Sequence, residues 1–186
     1  MRIISGYLKG KKIELPTDLK TRPLRDLVKE SIFNILKHSN KIDCKIENAE
    51  ILDLFSGSGS FGLECISRGA KKVFFIENYS GALKILKRNV ENLKCENSSI
   101  IIENDCFEIE DIIKKSKNKF DIIFLDPPFK EDKINLIIEK IFNYKILSNK
   151  GVIIIHRNKK ENKELTKKLN LIEEKIYGIS KIIFGN

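Results

Sequence analysis

Closely spaced cysteine pairs are absent from the 186-residue sequence. Its four cysteines include no C-x-x-C arrangement, and zinc sites normally need paired ligands at such short spacing. Only two histidines occur, and neither has a candidate ligand or nucleophile partner near it in the sequence. These shortages argue against a zinc protein and against a catalytic triad, so we expect reduced thiols and no metal site. The residues concerned are Cys44, Cys65, Cys95, Cys106, His38 and His156.

Long apolar runs are also missing. No segment is apolar over a length that would span a bilayer, and the start M-R-I-I-S-G-Y-L-K-G-K-K lacks the apolar centre of a signal peptide. The composition is 41% hydrophobic and 33% charged, which permits a packed core and argues against global disorder. We expect a soluble, cytoplasmic and monomeric protein with one main domain.

The positive charge is unevenly distributed. Residues 1–45 contain 11 Lys and Arg against 5 Asp and Glu, a net charge of +6, out of +9 for the whole chain. The other 141 residues contain 24 against 21, a net charge of only +3. A basic segment beside a cofactor domain indicates a polyanionic substrate such as nucleic acid, although a solvated basic surface would give the same excess.

Two patterns divide the chain. Short β-like runs at 2–5 and 11–15 flank turn glycines and predict a hairpin, and apolar residues at helical spacing follow from Asp26. From Glu50 onward, continuous apolar runs alternate with helix-like segments, as is typical of parallel strands buried on both faces. The predicted strands are 50–55, 72–77, 99–103, 120–125 and 151–156, and the predicted helices are 60–68, 79–92, 107–116, 132–143 and 160–169.

The end of the chain departs from this alternation. Residues 171–177 and 181–184 flank a short turn at Gly178 and predict an antiparallel hairpin at the edge of the sheet. The sequence therefore predicts an α/β, Rossmann-like fold with a mostly parallel seven-stranded sheet and a C-terminal antiparallel hairpin. We expect a basic hairpin and helix at 1–45, which would contact the polyanion, and the main domain at 46–186.

A glycine-rich loop follows the first predicted strand. The stretch D-L-F-S-G-S-G-S-F-G at 53–62 contains G-x-G-x-x-G, which is typical of dinucleotide-binding turns. Glycines such as Gly57 and Gly59 let backbone amides approach a ligand, and the next helix offers its N-terminus to an anionic group. Glu77 comes twenty residues after Gly57, where an acid binds ribose hydroxyls. The loop fits either NAD or S-adenosylmethionine.

Acidic residues at the strand ends favour S-adenosylmethionine. Asp53 lies inside the strand before the loop, where a carboxylate would repel a pyrophosphate but suits an ammonium and sulfonium ligand. Asp105 ends the third strand, where its carboxylate can accept a hydrogen bond from an adenine amino group, cap the next helix, or do both. An NAD dehydrogenase would also need a substrate domain for hydride transfer, and the chain leaves no room for one.

The segment D-P-P-F at 126–129 ends the fourth predicted strand. Ligands of open α/β sheets bind beyond the carboxyl ends of the strands, so this segment should lie beside the glycine loop. Its two prolines have no amide hydrogen and fix the backbone, Asp126 adds a carboxylate acceptor, and Phe129 adds a stacking face. Acceptors with an aromatic ring suit a planar base with an amino group, and they stabilise the charge that develops when that amine is methylated.

These motifs resemble the RsmD family of 16S ribosomal RNA guanine-N(2) methyltransferases over nearly the whole chain. The residues that carry the resemblance are the M-R-I-I start, T-R-P with V-K-E-S-I-F-N-I-L after it, D-L-F-S-G-S-G-S-F-G-L-E, the Glu after the second strand, N-D, D-P-P-F and the final Y-G. The glycine loop and D-P-P-F are shared by many amino-group methyltransferases. The N-terminal segments are what point to this family.

The resemblance implies a class I methyltransferase fold and transfer of a methyl group from S-adenosylmethionine to one guanine. The target would be the 2-amino group at position 966 of 16S rRNA, in the small ribosomal subunit or its assembly intermediate. The implied catalytic residues are Asp126, Pro127, Pro128 and Phe129. The cofactor-binding residues would be Asp53, Ser56, Gly57, Gly59, Glu77, Asp105 and Cys106. The resemblance also places the Arg22-Pro23 segment over the cofactor, facing RNA. From their charge, we expect Lys9, Lys11, Lys12, Arg22 and Arg25 to bind phosphates around the target base.

The sequence departs from the family pattern at three positions. Leu27 and Lys29 stand where the family usually has Arg, and His156 stands where it often has Glu. From the sequence, we expect these departures to concern RNA-contact details and not the reaction.

Two other activities fit part of the pattern. An amino methyltransferase acting on adenine in DNA or on another RNA would use the same D-P-P-F chemistry, although the chain is short for a separate DNA-recognition domain. A non-catalytic RNA-binding module would leave the glycine loop and D-P-P-F without a role.

Overall fold

A single seven-stranded sheet forms the centre of the computed structural model, which describes residues 1–18, 24–108, 110, 119–129, 131–161 and 163–186. The strands are β1 Glu50–Leu54, β2 Lys72–Glu77, β3 Ser99–Glu103, β4 Phe120–Leu125, β5 Leu147–Asn158, β6 Leu171–Tyr177 and β7 Ser180–Gly185. Their order across the sheet is β3-β2-β1-β4-β5-β7-β6. Strands β1 to β5 run parallel, and β7 runs antiparallel to β5 and β6. The predicted sheet and its C-terminal hairpin are confirmed.

Helices cover both faces of the sheet. Those whose bounds the structure describes are α1 Asp26–His38, α2 Ser60–Ser67, α3 Ser80–Asn92 and α4 Ile134–Asn143, with a 3-10 turn at Glu96–Ser98. Successive residues of a strand point to opposite faces, so each buried strand contributes to two cores. In β1, Ile51 belongs to the core shared with α1, α2 and α3, whereas Leu52 belongs to the core shared with α4. Burial on both faces explains why the strands read as continuous apolar runs.

The N-terminal residues pair with each other and pack onto the main core. Arg2 and Lys12 form an antiparallel bridge, and the amide of Ile3 donates to the carbonyl of Lys11 at 2.9 Å. The side chains of Ile3 and Ile13 are buried in the same core as α1 and α2. The division into an RNA-contacting part at 1–45 and a main domain at 46–186 stays a prediction.

The helix predicted at 160–169 is wrong for the described part of that segment. Two backbone groups there bond to a neighbouring side chain: the side-chain nitrogen of Asn135 on α4 donates to the carbonyl of Glu164, and the side-chain oxygen of Asn135 accepts from the amide of Thr166. Most of the helix predicted at 107–116 lies outside the described residues.

The topology determines where a ligand can bind. The chain moves outward in one direction from β1 through β2 to β3, and in the other from β4 to β5. The carboxyl ends of β1 and β4 therefore flank the point at which the order reverses, and loops there leave a crevice. None of the helices in the described part of the chain is long and apolar enough to cross a membrane.

Candidate active site

A cavity of about 410 Å³ opens at the carboxyl ends of β1, β2 and β4. It brings together residues that are far apart in the sequence and that the sequence analysis assigned to one site. The predicted residues that line it are Asp53, Ser56, Gly57, Glu77, Asp105, Asp126, Pro127, Pro128 and Phe129. Gly59 and Cys106 lie next to the cavity but do not line it.

The two glycines of the loop between β1 and α2 have different surroundings. Both have a positive φ, 55° at Gly57 and 82° at Gly59, which favours glycine. A Cβ atom on Gly57 would meet no atom within 4 Å, so its backbone stays accessible from the cavity. A Cβ atom on Gly59 would lie 2.4 Å from Cδ1 of Leu86 on α3. Gly59 thus lets the loop pack against α3, whereas Gly57 forms part of the cavity wall.

The Glu77 carboxylate organises the rim of the cavity. Its Oε2 accepts a hydrogen bond from the amide of Gly57 at 2.7 Å. Its Oε1 accepts from the amides of Asn78 and Tyr79 at 3.0 and 2.8 Å. A carboxylate has about four acceptor positions, so the three amides leave capacity for a ligand hydroxyl. Glu77 therefore joins the glycine loop to the start of α3 and still offers an acceptor to the cavity.

Asp53 is a buried acid at the base of the cavity. It is 1% exposed, and its Oδ2 accepts a hydrogen bond from the amide of Gly62 at 3.0 Å. Burial raises the pKa of the Asp53 carboxyl well above its ordinary value, and the nearby charges of Asp126 and Glu77 raise it further, against the effect of the Gly62 hydrogen bond. A cation in the cavity would favour the ionised form of this group.

Aromatic rings flank the end of β3. Phe55 and Phe107 both line the cavity and meet edge to face, with ring centroids 6.2 Å apart. Asp105 Oδ1 accepts a hydrogen bond from the amide of Phe107 at 3.0 Å, so the carboxylate both shapes this turn and faces the cavity. Cys106 is buried, and its sulfur accepts from the amide of Phe55 at 3.2 Å. Phe55 and Phe107 were missed in the sequence because apolar residues at strand ends resemble core residues.

The D-P-P-F segment at 126–129 follows β4 directly. The amide of Asp126 donates to the carbonyl of Leu54 at 3.4 Å, which ties the segment to the end of β1. Asp126 Oδ1 lies 2.8 Å from Nδ1 of His156, and Nε2 of His156 lies 2.8 Å from Oγ of Ser180. The partners of His156 are distant in the sequence, and they reach it because β5 lies between β4 and β7 in the sheet.

The N-terminal segment forms one wall of the cavity through Leu15, Pro16 and Leu24. The hydroxyl of Tyr79 donates to Asp18 at 2.9 Å and fixes this segment near the start of α3. Four of the five basic residues assigned to RNA are among the described residues. Lys9, Lys11, Lys12 and Arg25 are exposed, whereas Arg22 lies outside the described residues. Within the described part of the chain, no group of His, Cys, Asp or Glu could hold a metal ion.

Asn89 on α3 fastens this wall. Its oxygen accepts from the amide of Glu14 at 2.8 Å, and its nitrogen donates to the carbonyls of Glu14 and Ser58 at 3.0 and 2.9 Å. Asn89 is 1% exposed, so water cannot replace these bonds when the side chain is removed. The buried side chain of Asn89 therefore joins the N-terminal segment to α3 and to the glycine loop.

Replacing Asn89 with alanine is expected to lower the free energy of unfolding by about 2 to 3 kcal/mol, because buried backbone groups lose their partners. Urea unfolding measures this change. Asn92→Ala is the matched control: Asn92 is exposed on the same helix, and its side-chain nitrogen donates to the exposed Glu14 side chain at 3.3 Å. We expect its effect to stay within about 0.5 kcal/mol. Equal effects of the two substitutions would contradict the role given to Asn89.

Comparisons with known proteins show the family to which the chain belongs. The family model described as conserved hypothetical protein 95 matches residues 1–186. Ribosomal RNA small subunit methyltransferase D of Haemophilus influenzae is 34% identical over 181 residues, which cover 96% of this chain and 90% of that protein. The protein of the same name from Buchnera aphidicola subsp. Baizongia pistaciae is 32% identical over 185 residues, which cover 100% and 90%.

The fold is also found among solved structures. A protein described as a methyltransferase, yhhF of Escherichia coli, superposes with a TM-score of 0.81 at 26% identity, covering 100% of this chain and 96% of that one. A protein described as a methylase from Haemophilus influenzae superposes with a TM-score of 0.76 at 32% identity, covering 99% and 96%. The chain has the Rossmann-like fold of these methyltransferases, and with a family match along its full length it belongs to the family described as conserved hypothetical protein 95, the RsmD family.

Proposed function

We propose that the protein transfers a methyl group from S-adenosylmethionine to the exocyclic 2-amino group of one guanine, position 966, in 16S rRNA. The substrate would be the small ribosomal subunit or its assembly intermediate. The observation that carries the proposal is that one cavity is lined both by acids at the ends of β1 and β2 and by the D-P-P-F segment. The names of the relatives, ribosomal RNA small subunit methyltransferases, support RNA as the substrate.

The cofactor part of the cavity suits a positively charged adenosyl ligand. S-adenosylmethionine would supply a methyl group on a cationic sulfur. Its ammonium and sulfonium charges would offset the unfavourable burial of the Asp53 carboxylate. Glu77 would accept from ribose hydroxyls, and Gly57 would let the chain approach the ligand closely. Asp105, Phe55 and Phe107 would surround the adenine.

The target part of the cavity suits an amino group on a planar base. Asp126 and the carbonyls around Pro127 and Pro128 are acceptors, and neither proline can donate a backbone hydrogen bond. Hydrogen bonds from the amine to these acceptors would localise its lone pair and stabilise the positive charge that develops during transfer. Phe129 offers a ring on which the base would stack. Alignment of the two reactants would supply a large share of the rate, about 7 kcal/mol or more.

RNA would approach from the side of the N-terminal segment. Arg25 is exposed and directly follows Leu24, which lines the cavity, so its charge lies near the entrance. Lys9, Lys11 and Lys12 are exposed on the N-terminal hairpin and would bind phosphates farther from the target. The target guanine would have to leave its stacked position, which costs least in a loop.

Cofactor binding is expected to release protons through Asp53. The carboxyl has a raised pKa in the free protein, and a bound cation would lower it again. The contribution of Asp53 to the affinity for S-adenosylmethionine should therefore increase as the pH rises through the raised pKa and become constant above it. Calorimetry in two buffers of different ionisation enthalpy, between about pH 5 and 8, measures the proton release.

Asp53→Asn is the control for this linkage. The variant retains an oxygen acceptor for Gly62 and cannot titrate, so the proton exchange that remains belongs to the cofactor's own amino group. Identical proton release by the wild type and the variant across the pH range would contradict the linkage.

The proposed reaction is tested with methyl-labelled S-adenosylmethionine and small ribosomal subunits from cells that lack the modification. Bare 16S rRNA and genomic DNA are tested in parallel, and the products are digested to nucleosides. We expect label in 2-methylguanosine from the subunits. Label in methyladenine, or label only in DNA, would be consistent with methyl transfer to an amino group at D-P-P-F but would contradict 16S rRNA guanine as the substrate.

A further inference from the structure

A buried chain of polar side chains continues from Asp126 away from the cavity. Asp126 Oδ1 and His156 Nδ1 are 2.8 Å apart, and His156 Nε2 and Ser180 Oγ are also 2.8 Å apart. The side chain of His156 is only 3% exposed, and Ser180 is equally buried. The three residues come from the end of β4, from β5 and from β7, so this series of hydrogen bonds crosses three neighbouring strands.

The chemistry of the three groups determines which atom donates and which accepts in each hydrogen bond. An ionised carboxylate can only accept, so Nδ1 of His156 carries the hydrogen and donates it to Asp126. In the neutral imidazole, Nε2 then has a lone pair and accepts from the hydroxyl of Ser180. The Asp126 carboxylate therefore selects the tautomer, and Ser180 holds the ring in place through Nε2.

His156 also contacts the other end of the D-P-P-F segment. The ring of Phe129 meets the imidazole edge to face, with centroids 5.8 Å apart and an interplanar angle of 73°. One imidazole therefore touches both the first and the last residue of the segment. Rotation of this ring would change the position of the Asp126 carboxylate and of the Phe129 ring together.

His156 follows an apolar run of β5 and is itself buried. The three preceding residues of β5, Ile153, Ile154 and Ile155, are fully buried. A polar ring here is costly unless both nitrogens are bonded, and an apolar side chain would fill the same space at no such cost. Packing alone therefore does not account for a histidine at this position, whereas its bond to an acid that lines the cavity does.

We propose that His156, held in place by its hydrogen bond to Ser180, is a positioning residue that orients the Asp126 carboxylate toward the amino group of the target base. The inference rests on the proposed function, since it concerns the acceptor used in methyl transfer. His156 itself does not touch the reacting atoms. Its effect is on the alignment of Asp126, and a small misalignment of a reacting partner lowers a rate by as much as about 100-fold.

Two isosteric substitutions separate this role from a structural one. In His156→Asn the amide nitrogen takes the place of Nδ1 and can donate to Asp126, whereas in His156→Gln the amide reaches toward Ser180 and leaves Asp126 without this donor. Both variants lose one hydrogen bond and the ring contact with Phe129, so we expect similar decreases in melting temperature. The readout is the single-turnover rate of methyl transfer, with the Kd for S-adenosylmethionine measured in parallel.

We expect His156→Gln to lower the transfer rate by about 10- to 100-fold and His156→Asn to retain most of it, with an unchanged Kd for the cofactor. Ser180→Ala should lower the rate by about three- to tenfold, since it removes one hydrogen bond from His156. Equal rates for the Asn and Gln variants, or rates that follow melting temperature, would overturn the inference.

The hydrogen-bond arrangement is also testable without activity. Nitrogen-15 spectra of labelled imidazole should show a protonated Nδ1 in His156, and an unprotonated Nδ1 would overturn the inference. If the wild type methylates none of the substrates, the proposed function fails while this spectrum still tests the arrangement. If the wild type is active and His156→Gln matches it, the inference alone fails.

Discussion

Replacing Asp126 with alanine is expected to lower the rate of methyl transfer by about 100- to 1,000-fold, the loss typical of removing one group that stabilises developing charge. The carboxylate lies at the end of β4 on the cavity wall and is the only acid of the D-P-P-F segment. Without it, the amine loses an acceptor in the transition state, whereas the cofactor and the RNA retain their other contacts. Single-turnover kinetics and a filter-binding assay with RNA measure the two effects.

The control for Asp126→Ala is Asp43→Ala. Asp43 is exposed, and its partner Lys150 is 3.9 Å away on the surface. We expect this variant to methylate at the wild-type rate. Full activity of Asp126→Ala would contradict a role of the Asp126 carboxylate in methyl transfer. If RNA binding decreases together with activity, the result would favour a structural role for this residue.

Replacing Glu64 with alanine is expected to lower the free energy of unfolding by about 3 to 5 kcal/mol, the cost of removing one member of a buried ion pair. Glu64 and Lys29 are both fully buried, with Nζ and Oε2 separated by 3.7 Å. The same carboxylate accepts from the amides of Ile4 and Ser5 at 2.7 and 2.9 Å and from Arg68 at 2.9 Å. Its removal therefore eliminates the buried polar contacts that link the N-terminal segment, α1 and α2.

Burial lowers the pKa of the Lys29 ammonium, and the charge of Glu64 opposes this effect. The matched control for Glu64→Ala is Glu103→Ala, which removes a largely exposed ion pair with Lys87 at 3.6 Å. We expect the control to change the free energy of unfolding by less than about 1 kcal/mol. Glu64→Gln retains oxygen and size, so it should fall between the two. Similar urea midpoints for all three variants would contradict the role of the buried cluster.

The fold could be predicted well where burial alone determines the pattern. The runs at 50–55 and 120–125 read as continuous apolar segments because alternate residues face two different cores. The segment 160–169 could not be predicted, because its backbone groups bond to Asn135 on α4. Strand β5 extends from Leu147 to Asn158, longer than its apolar run at 151–156, because β4 and β7 provide partners on both sides.

The site could be predicted where a residue lies within one residue of the end of a strand. Asp53, Glu77 and Asp126 lie at strand ends, and the parallel order alone places them at one edge of the sheet. His156 and Asn89 could not be predicted, because their partners come from elements that the sequence does not place side by side. His156 needs the antiparallel β7, and Asn89 needs the N-terminal segment to cross α3.

The most direct measurement maps the methyl group on the RNA. Small subunits that lack the modification are incubated with the protein and S-adenosylmethionine, and fragments of the 16S rRNA are sequenced by mass spectrometry. We predict one added methyl group, on the amino group of a single guanine, and none with the Asp126→Ala variant. Methylation of an adenine, methylation spread over many guanines, or undiminished methylation by the variant would contradict the assignment of this cavity.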